Sequence, residues 1–102
     1  MIENLVGIQI DDEETYAEYR RRLAPVLEAH GAELLFDLRV AEVLEARGNQ
    51  TFNRLFLMRF PSLEAAKKFS QSEEYVSLRD TYFTPSVSNT VFWGRYEVSP
   101  DA

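Results

Sequence analysis

Asn53-Arg54-Leu55-Phe56-Leu57-Met58-Arg59-Phe60-Pro61-Ser62-Leu63-Glu64-Ala65-Ala66 is the stretch whose reading decides the fold. From Asn53 to Phe60 it alternates, with Phe56, Met58 and Phe60 on one side and Leu55, Leu57 and Arg59 on the other, which is the period of a β-strand. Both rows are mostly apolar, so this strand belongs to a sheet that needs cover on both faces. Pro61 cannot donate to a strand ladder, and Ser62 can cap a helix whose apolar positions are Leu63, Ala66 and Phe69.

Working toward the N-terminus, Arg47-Gly48-Asn49-Gln50 is a polar turn. Ala32 to Leu38 reads as a strand with Leu34, Phe36 and Leu38 on one face and Glu33, Leu35 and Asp37 on the other. Arg39 to Ala46 alternates loosely, either as a continuation through a bulge or as a short extra strand. Tyr16, Tyr19 or Arg20, Leu23, Val26 or Leu27 and His30 recur at helical spacing behind Asp11-Asp12-Glu13-Glu14, which supplies an N-cap and an acidic first turn. The spacing predicts a helix from about Asp12 to His30, stopped by Gly31, with Pro25 kinking it or ending its first segment. Leu5 to Ile10 is the first strand, with Val6, Ile8 and Ile10 facing one way and Leu5, Gly7 and Gln9 the other.

Toward the C-terminus, Ser72-Glu73-Glu74-Tyr75 restarts the second helix and Pro85 closes it. The last strand runs from Val87 to about Tyr96, where Val91, Trp93 and Arg95 alternate with Phe92, Gly94 and Tyr96, and the tail Ser99-Pro100-Asp101-Ala102 is expected to fray. The order strand, helix, strand, strand, helix, strand predicts one α+β domain over residues 1–102. It is a ferredoxin-like βαββαβ unit with an antiparallel sheet and both helices on one face. Leu5, Leu35, Leu55, Leu57 and the Val91–Trp93 row then lie on the face without helices. A second copy of the same sheet is the simplest cover for them, so a homodimer is expected.

The same residues resemble a known family. Tyr16-Ala17-Glu18-Tyr19, Pro25, His30-Gly31 leading into Ala32-Glu33-Leu34-Leu35, and Phe60-Pro61-Ser62-Leu63-Glu64-Ala65-Ala66 followed by Ser72-Glu73-Glu74-Tyr75 are similar to domain-of-unknown-function family 1330, within the dimeric α+β barrel superfamily. The resemblance implies a homodimer whose two sheets face one another, enclosing or flanking a cavity. It brings no assigned reaction, although related barrels include cofactor-free monooxygenases and isomerases.

Composition narrows the function. Seventeen acidic against eleven basic residues give a formal net charge of −6, which argues against nucleic acid and anionic membrane as partners. The basic cluster Arg20-Arg21-Arg22 lies in a helical pattern with Glu13, Glu14, Glu18 and Glu28 and reads as a solvated mixed-charge face. The absence of cysteine excludes disulfides, thiolate metal sites and a cysteine nucleophile. Met1-Ile2-Glu3-Asn4 lacks the basic start of a signal peptide, and no apolar run approaches the ~20 residues of a membrane span, so a cytoplasmic location is expected. No phosphate loop, nucleophile elbow or carboxylate cluster with metal spacing is present, so neither cofactor nor metal is expected.

Six residues remain as candidates. His30 is either a helix-ending side chain favoured by the helix dipole or a group that moves a proton near neutral pH. Gln9, Asp37 and Arg59 interrupt the apolar face without helices by parity, and Arg95 joins them if Trp93 points that way. Asp37 paired with Arg59 or Arg95 would be a structural ion pair, since an isolated buried charge costs several kcal/mol. The alternative is an arginine-lined pocket for a small polar or anionic molecule, with Gln9, Arg59 and Arg95 binding, Trp93 as an apolar wall, and His30 or Asp37 moving a proton. A noncatalytic module, whose sheet face is only a dimer interface, is the competing reading.

Overall fold

The computed structural model describes residues 1–99; the tail expectation over residues 100–102 lies outside them. Four strands, β1 (Ile2–Ile10), β2 (Glu33–Arg39), β3 (Arg54–Phe60) and β4 (Val87–Glu97), form one antiparallel sheet in the order β2-β3-β1-β4. Helices α1 (Glu13–Ala29), α2 (Leu63–Gln71) and α3 (Glu73–Leu78) cross one face, and this is the ferredoxin-like βαββαβ arrangement. Among the described residues no helix is long and apolar enough to cross a membrane.

Two caps fall where the sequence places them, and Ser72, read as a restart, supplies a third. Asp12 accepts a hydrogen bond from Thr15 N, Ser62 from Ala65 N and Ser72 from Tyr75 N, each satisfying a backbone donor that the first helical turn leaves open. Gly31 ends α1 at a φ of +69°, in the left-handed region that a Cβ disfavours. Pro25 does not end α1, which runs on to Ala29. The carbonyl that Pro25 cannot serve is that of Arg21, and both residues lie on the exposed side where water can take its place. After α3 the chain continues through a π-helical turn (Arg79–Phe83) and a short helical turn (Thr84–Ser86) into β4. Ser86 is wholly buried, and its carbonyl takes Asp11 N at 2.8 Å, tying the start of β4 to the exit from β1.

The core forms between the helices and the sheet. α1 contributes Tyr16, Tyr19, Leu23 and Leu27, α2 contributes Ala66 and Phe69, and Ile8, Ile10 and Phe60 meet them from the strands. Two bulges revise the strand parity read from the sequence. In β2 the register against β3 shifts between Leu34 and Phe36, so Leu34 opposes Met58 but Phe36 opposes Leu57, Asp37 opposes Phe56 and Leu38 opposes Leu55. Phe36 and Leu38 therefore join the outer face, and Asp37 turns to the helix side. In β4 the register against β1 skips Trp93, which separates Trp93 from Arg95. The bulge foreseen after Arg39 lies inside β2 instead, and residues 40–53 form a loop with one 3-10 turn.

That loop is anchored by Asn53. Its side-chain amide takes Ile10 N and donates to Ile10 O, each at 2.8 Å, reproducing a peptide's two ladder bonds at the end of β1. Gln50 Oε1 and Thr51 O both accept from Asn89 Nδ2 on β4.

Candidate functional site

A cavity of about 300 Å3 lies between the helix side of β1, β3 and β4 and the helices α2 and α3. It exists because two short helices, broken at Ser72, do not cover the edge strand. Thr90, Phe92 and Arg95 of β4 stay exposed on the helix side, Phe92 at 54%. The walls are mostly apolar and aromatic, with Phe56, Met58, Phe69, Phe83 and Phe92 prominent. Phe69 meets Tyr75 at 4.5 Å between ring centroids and Phe60 at 5.4 Å, and rigid rings of this kind hold a wall shape that flexible aliphatic chains would fill.

Polar groups sit at the mouth and at the inner wall. At the mouth, Arg95 donates from Nε to Asn4 Oδ1 at 3.0 Å, and Lys67 of α2 lines the opposite lip. At the inner wall stand Tyr19 and Tyr75. Burial pushes the Tyr19 hydroxyl far above the ordinary tyrosine range, and it raises Tyr75 as well, with the Arg79 guanidinium over its ring opposing the shift.

Of the six residues singled out in the sequence, only Arg95 lines this cavity. Its place there corrects the expected shared face with Gln9, Asp37 and Arg59, because the β4 bulge turns it to the helix side. Asp37 is likewise on the helix side, in a separate cleft beside the N-terminal half of α1. There it pairs with Arg20 and with Arg54, whose Nε is 3.5 Å from Asp37 Oδ1, and not with Arg59 or Arg95. The Arg54 guanidinium also lies 5.3 Å over the ring of Tyr16. Two guanidiniums on one carboxylate, packed on an aromatic ring, tie β2 and β3 to α1 as an ion network.

Arg59 stays on the outer face and binds Glu3, its direct neighbour across β1 and β3, at 2.7 Å. Trp93 is on the outer face too. It meets Phe52 edge-on at 5.6 Å, and both crowd Gly7, where a Cβ would come within 3.0 Å of each. Gln9 opposes Asn89 at the loop end of that face. His30 is the C-cap of α1, and its ring packs edge-on against Phe69 at 5.6 Å, joining the ends of α1 and α2. The six residues are thus spread over four places and do not form one pocket.

Tyr19, Tyr75, Lys67 and Asn4 were not singled out as ligand contacts. One signal was present. Asn4 continues the row of Val6, Ile8 and Ile10, and a polar residue heading a buried row marks where the core gives way to a cavity.

Residues 4–92 match the family described as Domain of unknown function (DUF1330). Compared with curated proteins, the chain finds no match. Among solved structures, a protein of unknown function from Rhodopseudomonas palustris is similar at a TM-score of 0.80 and 18% identity, over 97% of this chain and 83% of that one. A Dabb-family protein with a ferredoxin-like fold from Mesorhizobium loti is similar at 0.70 and 14%, over 96% of both chains. A dimeric ferredoxin-like protein of unknown function from Thermobifida fusca is similar at 0.62 and 12%, over 95% of this chain and 90% of that one. At these identities the likeness carries the fold.

Proposed function

The chain belongs to the family described as Domain of unknown function (DUF1330), and on that premise we propose that it is a homodimer in which each subunit holds a small molecule between its sheet and its helices. The observation that carries the binding reading is the cavity of about 300 Å3, apolar on most of its wall, with a few polar groups converging on it from the mouth and the inner end. Small-molecule sites have this composition. Arg95 is the residue we carry forward from the sequence as a ligand contact; His30, Asp37, Gln9, Arg59 and Trp93 have structural roles in this reading.

The outer face supports the dimer. Leu5, Leu55 and Leu57 occupy neighbouring positions there, and the charges among them are already paired within the subunit, as Glu3 with Arg59. An apolar surface with internally satisfied charges suits contact with a second protein surface. The dimeric state of the Thermobifida fusca protein agrees with this. The outer face is then an interface and not a pocket, so the structural reading of that face and the binding reading of the other hold together.

Native mass spectrometry of the purified protein, followed by release under denaturing conditions, tests the binding. We expect a dimer mass carrying a small-molecule adduct, lost in Ala66→Phe, which fills the cavity from α2. A folded Ala66→Phe variant retaining the adduct would overturn the location.

A further inference from the structure

The polar groups around the cavity do not balance, and the imbalance identifies the class of molecule it takes. At the mouth stand two cations, Arg95 and Lys67, and among the described residues neither forms an ion pair. This occurs in a chain of net charge −6, where most other arginines are engaged: Arg20 and Arg54 with Asp37, Arg21 and Arg22 with Glu18, Arg59 with Glu3, and Arg79 with Asp80. Arg95 is also held in place, its Nε spent on Asn4 and its guanidinium 5.6 Å from the ring of Phe92, and its remaining N–H groups have no acceptor among the described residues.

The inner wall carries donors of another kind. The hydroxyls of Tyr19 and Tyr75 belong to residues that line it, and a phenol O–H can donate to a ligand oxygen.

We propose that the cavity binds an organic monoanion with a flat apolar body, its carboxylate held at the mouth by Arg95 and Lys67 and an oxygen on the far end of the body accepting from the Tyr19–Tyr75 pair. The body lies among Phe56, Phe69 and Phe83, whose faces suit a ring or a conjugated chain better than a branched aliphatic group. This inference rests on the cavity being a binding site and adds the charge, the shape and the position of one oxygen.

The test uses three probes in isothermal titration calorimetry: 2-naphthoate, its neutral counterpart 2-naphthalenemethanol, and 6-hydroxy-2-naphthoate. We expect 2-naphthoate to bind about tenfold or more tighter than the alcohol, and Arg95→Gln to remove that difference, as a charge-assisted contact of this kind would. Tyr75→Phe should weaken 6-hydroxy-2-naphthoate by about tenfold while leaving 2-naphthoate unchanged. If the alcohol binds as tightly as the acid, or if Tyr75→Phe weakens both acids equally, the proposed class is wrong while the cavity remains a binding site. If no probe binds and the purified protein carries no adduct, the binding reading falls with it. Circular dichroism of both variants separates loss of contact from loss of fold.

Discussion

On the helix side of the sheet, Ile8, Ile10 and Phe60 are sealed to between 0% and 4% exposure, whereas on the outer side Leu38 and Tyr96 remain half open at 49%. Both sides are apolar. They differ in what their polar groups do. Outside, Glu3 and Arg59 cancel each other and Asn89 donates to Gln50 and Thr51, while the buried Trp93 Nε1 is left without a partner among the described residues. Inside, Arg95 and Lys67 form no ion pair among the described residues, and with Tyr19 and Tyr75 they line a void. In the proposed reading, the face with its charges settled meets another protein surface, and the face with unsettled groups around a cavity takes a small molecule.

The largest effect should come from putting a charge in the middle of the outer face. Leu57→Asp would bury an unpaired carboxylate against the partner, a cost on the order of 3 kcal/mol or more, which is over a hundredfold in dimer Kd. Light scattering at micromolar protein should give a dimer for the parent chain and a monomer for the variant, with probe binding in the cavity retained. A folded dimer carrying Leu57→Asp would mean that the two faces have been assigned the wrong roles.

Next in size is the core. Ile8→Ala removes a wholly buried side chain and should cost about 2–5 kcal/mol in urea unfolding, because the cavity left behind relaxes only in part. Leu55→Ala, made in the Leu57→Asp monomer, should cost less than about 1.5 kcal/mol, since without a partner its outer position gains little burial. Equal costs at the two positions would erase the distinction between a face closed within the subunit and one closed between subunits.

These faces were only partly legible in the sequence. Strand and helix order, the N-caps Asp12 and Ser62 and the Gly31 stop follow from local chemistry, and local chemistry is what a sequence displays. Parity holds in β1 and β3, where no bulge falls between them, and so Val6, Ile8, Phe56 and Met58 are read on the correct side. It fails at Asp37 and Arg95 for one reason. A bulge adds a residue to one strand in response to its neighbours, here letting Asp37 reach Arg20 and Arg54 and letting Trp93 sit over Gly7 beside Phe52. The ion pair of Arg59 was missed because Glu3 is its partner only through the β1–β3 register. The cavity was missed because it arises from what α2 and α3 fail to cover, which no single residue encodes.

A smaller effect concerns pH and belongs to the helix side alone. Burial raises the hydroxyl pKa of Tyr16, Tyr19 and Tyr75, while in the unfolded chain they titrate near the ordinary value of about 10. Above that pH the unfolded state loses protons that the folded state keeps, so stability is fully present below about pH 10 and is lost progressively as pH rises toward the folded values. Urea midpoints should fall on the alkaline side, with phenolate absorbance from these three residues appearing only on unfolding. Phenolate signal from Tyr16, Tyr19 and Tyr75 before any loss of circular dichroism would show that the helix side is as open as the outer one.

The smallest effect tests whether position on the helix side matters by itself or only burial does. Asp12 opens α1, yet its carboxylate is exposed, accepting from Thr15 Oγ1 at 2.7 Å and Thr15 N at 3.1 Å. The Thr15 hydroxyl and backbone N–H favour its charged form and hold its pKa below the usual carboxylate value. Its contribution is therefore complete above about pH 4, the unfolded value, and is lost as pH falls through the lower folded one. Asp12→Ala should lower the urea midpoint slightly at neutral pH and not at all once the parent carboxylate is protonated, with cavity binding unchanged at both. A difference between parent and variant that persists in acid would place the effect in the cap's geometry instead of its charge, and a loss of probe binding would extend the helix side's influence to its exposed rim.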